Sequence, residues 1–69
     1  MQVLTPNQIQ DFSIDKGRYA FKFVHNRKSL FGICYTETEP TVGQLYCLDS
    51  IVYKVVSIPC NSKVIVKEL

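Results

Sequence analysis

With 69 residues the chain has room for one domain, because a chain of this size buries only about 60% of its unfolded surface and cannot divide its core. Hydrophobic residues at 46% and charged residues at 20% are the balance of a folded protein and exclude an intrinsically disordered one. A formal net charge of +2 is too small to announce a nucleic-acid partner by itself, and no apolar run approaches the 18 or so residues that span a bilayer.

Met1-Gln2-Val3-Leu4-Thr5-Pro6 lacks the basic and apolar regions of a signal peptide. Cys34, Cys47 and Cys60 are an odd set, unlike the even disulfide framework of a small secreted domain. The expectation is a soluble, cytoplasmic (or virion-borne) protein with reduced, buried or half-buried thiols and no membrane partner.

Thr5-Pro6-Asn7-Gln8 combines a capping residue, a proline at the first helical position and a glutamine three after the cap, which predicts a helix start. Ile9 and Phe12 share one face of that helix, which lasts about two turns before the turn signal Asp15-Lys16-Gly17 and reads as a lid or plug. From Arg18 to Val24 the residues alternate, with Tyr19, Phe21 and Phe23 on one face and Arg18, Ala20, Lys22 and Val24 on the other. His25-Asn26-Arg27-Lys28 is a polar tip, and Ser29 to Glu37 completes a hairpin in which Gly32 marks a bulge or bend. After a break at Thr38 to Gly43, three further strands are predicted at Gln44 to Leu48, Ile51 to Ile58 and Lys63 to Leu69. Their connections, Asp49-Ser50 and Pro59-Cys60-Asn61-Ser62, are rich in turn formers. The expected fold class is all-β with one short N-terminal helix. Five short strands form a small barrel, SH3-like or OB-like, because closure removes edges that would otherwise aggregate.

Pro40 to Leu48, then Tyr53-Lys54-Val55-Val56-Ser57-Ile58 and Val64-Ile65-Val66, resembles the later strands of SH3-like small barrels over residues 40–66. There a Val-Gly step leads into a strand and a Tyr-x-Val strand follows a tight turn. The resemblance implies a fold and no particular activity. The stretch Lys16-Gly17-Arg18-Tyr19-Ala20-Phe21-Lys22-Phe23-Val24-His25 resembles the aromatic, glycine-containing strand of RNA-recognition folds and, in its Val-His step, that of cold-shock domains. Those families stack bases on aromatic side chains.

Three cysteines and His25 could make a tetrahedral zinc site, but no Cys-x-x-Cys knuckle is present and the cysteines fall singly on separate strands. A Cys–His nucleophile pair lacks a third, orienting group and an oxyanion loop, and Glu37 and Glu39 read as a solvated turn. The expectation is therefore no enzyme, no metal and no cofactor.

Two features point to binding. Lys16, Arg18, Lys22, Arg27 and Lys28 lie in a stretch without an acid, although alternation sets the basic side chains opposite the aromatic ones and makes the latter core. Ile51 to Ile58 is apolar on both faces, with Val52, Val56 and Ile58 on one and Ile51, Tyr53 and Val55 on the other, and Leu30 to Tyr35 behaves likewise. Tyr35, Tyr46, Val52, Tyr53, Val56 and Ile58 are the candidate partner-binding residues, tyrosine being suited to apolar surfaces with a polar edge. The leading expectation is a non-catalytic protein-interaction or assembly module that docks a protein partner or self-associates, a profile that resembles small accessory proteins of viruses and phages. The alternative is a single-stranded nucleic-acid binder on an OB-like barrel, with the basic residues on phosphates and Tyr19 or Phe21 stacking bases.

Overall fold

In a computed structural model that describes residues 1–5 and 17–69, the chain forms β1 (Gln2–Val3), β2 (Arg18–His25), β3 (Lys28–Tyr35), β4 (Leu45–Leu48), β5 (Ile51–Cys60) and β6 (Lys63–Glu68). They make one mixed sheet in the order β1-β4-β5-β6-β2-β3, curled into a half-barrel. The architecture is compatible with the small SH3-like and OB-like barrels, and no helix occurs among the described residues. The helix expected from Thr5 falls on residues 6–16, outside the described residues.

Alternation fixes which way each strand faces. In β2, Phe21 and Phe23 are buried and Tyr19 packs against the core, so Arg18, Ala20, Lys22 and Val24 point outward. The β2–β3 hairpin closes on His25 and Lys28 around Asn26 (φ 50°) and Arg27 (φ 61°). The β4–β5 hairpin closes on Leu48 and Ile51 around Asp49 (φ 50°) and Ser50 (φ 65°). Two consecutive positive φ angles define the type I′ turn, whose twist matches that of the strands it joins.

The β2–β3 hairpin and the β4-β5-β6 meander are joined side by side by a parallel contact from Ala20 opposite Lys63 to Val24 opposite Lys67. β1 adds a second parallel contact, Gln2 opposite Tyr46 and Val3 opposite Cys47. The Gln2 side chain then spans to the far edge of the sheet: its Nε2 donates to Tyr35 O at 2.8 Å, and its Oε1 accepts from Glu37 N at 3.0 Å. One amide thus bridges β1 to the end of β3, where no backbone ladder does.

The interior is held by aromatic contacts across the curl. Phe21 meets Tyr46 edge-to-face at 5.4 Å, Phe23 meets Tyr53 in the same manner at 5.3 Å, and Phe21 and Phe23 stack at 5.6 Å. Leu4, Leu48, Val55, Val64 and Val66 fill the remaining core.

Three sequence expectations are corrected. Among the described residues there are six strands instead of five, since the two-residue β1 is too short to carry any alternation. Gly32 is neither bulge nor bend but sits opposite Phe21 in an unbroken ladder. Two irregularities lie in β5: Val55 pairs with Val66 but Ser57 with Ile65, and a second shift follows before Cys60 pairs with Lys63. The extra residue, Val56, leaves two consecutive side chains facing out, and the phase change turns Ile58 inward against the core. Ile58 therefore does not share a face with Val52 and Val56.

Replacing Ser50 by glycine, which adopts a positive φ without steric cost, is expected to stabilise the fold by about 0.5–1 kcal/mol and raise the melting midpoint by several degrees. A lower midpoint in thermal or urea unfolding would contradict the turn assignment. Phe21→Ala is expected to cost about 3–5 kcal/mol, a large part of the roughly 3–10 kcal/mol available to a chain of this length.

Candidate functional site

Residues directly opposite one another in neighbouring strands share a face, so the ladders map the outer surface of β3, β2 and β6. Its rows are Tyr35 with Arg18, then Ile33, Ala20 and Lys63, then Phe31, Lys22 and Ile65, then Ser29, Val24 and Lys67. Lys54 of β5 continues the last row beside Lys67.

This surface carries exposed aromatic rings beside cations. Phe31 is 70% exposed and Tyr35 58% exposed, an unusual state for large apolar side chains on a sheet face. Lys22 Nζ lies 5.9 Å from the centre of the Phe31 ring, in cation–π range. The Tyr35 ring rests on Gly17, where a Cβ would come within 2.9 Å of the ring and where φ is +86°. Glycine is therefore required there, and it gives the ring a floor.

A shallow groove of about 300 Å³ runs beside Phe31, bounded by Ala20, Lys22, Pro59, Lys63 and Ile65. No described acid lies in the rows from Ile33, Ala20 and Lys63 to Ser29, Val24 and Lys67, but at the Tyr35 end of the face Glu37 and Glu39 line a cavity together with the Tyr35 ring. Glu37 and Glu39 follow β3, Asp49 lies in the β4–β5 turn, and Glu68 points to the inner side, where its carboxylate meets His25 Nδ1.

The candidate residues from the sequence divide unevenly over the structure. Tyr35 is exposed on the outer face, Val56 is 47% exposed on the β5 bulge, and Val52 and Ile58 are half-buried. Tyr46 and Tyr53 are core residues that present no surface to a partner, because both belong to the aromatic contacts across the interior. Arg18 and Lys22 lie on the outer face, Arg27 and Lys28 stand exposed at the hairpin tip, and Lys16 is outside the described residues. Phe21 is buried and Tyr19 packs on the core, so neither is free to stack a base. Sequence reasoning missed Phe31, Lys54, Lys63 and Lys67.

Among the described residues no three His, Cys, Asp or Glu side chains come together as a metal site, and no helix is long and apolar enough to cross a membrane. The three cysteines lie apart: Cys34 buried, Cys47 half-buried and Cys60 exposed at the end of β5, contrary to the expectation that all are covered. Burial pushes the Cys34 thiol up to about 12, whereas hydrogen bonds from Ser62, helped by Lys63, draw Cys60 below the usual thiol range. Comparison of the chain with protein-family models, with curated proteins and with solved structures returns no match.

Thiolate is the reactive form, and at pH 8 a thiol titrating near 12 is ionised in on the order of one molecule in ten thousand. Iodoacetamide at that pH is expected to modify Cys60 first and Cys34 only on unfolding. Faster labelling of Cys34 than of Cys60, read by peptide mass spectrometry, would contradict the burial pattern.

Proposed function

We propose that this chain is a non-catalytic binding module, built on an SH3-like or OB-like half-barrel, that engages a larger anionic partner through the outer face of β3, β2 and β6. The observation that carries the reading is the row of Phe31, Lys22 and Ile65, with Tyr35, Arg18 and Lys63 beside it. Exposed aromatic area supplies contact energy at low entropy cost, and the cationic rows around Lys22 and Lys63, which carry no acid, steer an anionic partner and fix its position. Loss of Tyr46 and Tyr53 to the core leaves the outer surface of β5 with only Val52 and Val56 from the apolar set expected there.

A second reading keeps the expectation of a protein partner and rests on a different feature. β3 ends the strand order, and Leu30, Phe31 and Tyr35 are exposed along it. An extended segment of an acidic protein would add to this edge by backbone pairing, with its side chains beside Phe31.

The test is a set of amide-resolved NMR titrations with heparin, poly-glutamate and a thymidine 12-mer. Shifts clustered at Lys22, Phe31, Tyr35 and Ile65 with at least one of these are expected. Shifts confined to Val52–Val56, or none with any of the three, would overturn the assignment of the outer face.

A further inference from the structure

We infer that the outer face of β3, β2 and β6 binds single-stranded nucleic acid, with bases stacked on Phe31 and Tyr35 and phosphates held by Arg18, Lys22, Lys63 and Lys67. The inference rests on the reading of that face as the working surface and adds the chemistry of its partner. Base stacking needs exposed rings flanked by cations. Within β2 alone these are on opposite faces, since Phe21 and Phe23 point inward while Arg18 and Lys22 point outward. The ladder with β3 restores the combination from a neighbouring strand by setting Phe31 opposite Lys22 and Tyr35 opposite Arg18.

The geometry selects among polyanions. Phe31 and Tyr35 are four residues apart on one extended strand and one face, hence about 13 Å apart, so one polynucleotide strand can lay bases on both. Lys63 and Lys67 lie on the side of β2 away from the rings, four residues apart on β6, and run alongside them as a row for the backbone. A duplex hides its base faces in its own stack and offers nothing to the rings, while heparin and acidic peptides use the cations only. The groove beside Phe31 is bordered by Ala20, Pro59 and Ile65, which leaves an apolar floor for a base edge.

The experiment measures fluorescence anisotropy of labelled dT12, rU12 and a 12-base-pair duplex with the full chain and its variants. Binding of either single strand is expected to exceed that of the duplex by at least about tenfold, and the two single-stranded arms decide between DNA and RNA. Phe31→Ala and Tyr35→Ala should each weaken it roughly tenfold. Neutralising about four phosphates predicts a loss of roughly 50-fold between 50 and 200 mM salt. The variant K22E/K63E should bind at least about tenfold more weakly than R27E/K28E, which changes the net charge equally at the hairpin tip. Because the chain holds no tryptophan, Phe31→Trp gives a single reporter whose emission should be quenched by dT12 or rU12 but not by heparin or poly-glutamate.

Equal losses in the two charge variants, or full affinity in Phe31→Ala, would overturn the stacked-strand site. If heparin and poly-glutamate also bind as tightly as the single strands, the outer face survives as a polyanion surface and the nucleic-acid assignment falls. If nothing anionic binds, both fall. Absence of single-strand binding with retained poly-glutamate binding would replace the assignment by the edge-strand reading.

Discussion

Phe21 against Tyr46 and Phe23 against Tyr53 are the contacts on which this fold depends. β2 is separated from β4 by β5 and β6 in the sheet and from β5 by β6, so rings that meet at 5.4 Å (Phe21 with Tyr46 of β4) and 5.3 Å (Phe23 with Tyr53 of β5) across the interior require the sheet to curl. The same contacts fix the phase of β2. Once its odd-numbered aromatics are inside, Arg18 and Lys22 have no option but the outer surface. Burial of Tyr46 and Tyr53 raises both phenols above their usual range, burial being the main cause in each, so they stay neutral in the core.

A half-barrel of six strands leaves two sheet edges, and this one treats them differently. Near the start of β1 and the end of β3 the Gln2 amide takes the place of a ladder, donating and accepting as a backbone unit would. The rest of β3 is bordered by exposed Leu30 and Phe31, with Lys28 the only charge along the strand. Edge strands are ordinarily blunted by charge, proline or a bulge. The irregularities of this sheet are instead in β5, an interior strand with two register shifts, the first of which returns Ile58 to the core.

Much of this was legible in the residues. The alternation of Tyr19, Phe21 and Phe23 predicts the inner face of β2, and the turn formers bound five of the six strands to within two residues at each end. The juxtaposition of Phe31 with Lys22 also follows from a two-residue tip at Asn26-Arg27, by counting back along the hairpin from His25 opposite Lys28. What could not be read is the parallel contact of β2 with β6. It joins residues more than forty positions apart and has no local signature, so Lys63 and Lys67 could not be assigned to the face of Arg18 and Lys22. The exposure of Phe31 and the burial of Tyr46 likewise depend on which strands end the sheet, a property of the whole order and not of any segment.

That parallel contact is also a seam between two locally closed pieces, since the β2–β3 hairpin and the β4-β5-β6 meander each form through short-range pairings while the ladder between them closes a long loop. The cations of β6 and the rings of β3 come onto one surface only when the pieces dock, so a partly folded chain has no such surface. A ligand of the proposed kind, lying across all three strands, would hold the pieces together, and mass action would then make its concentration part of the stability of a small domain.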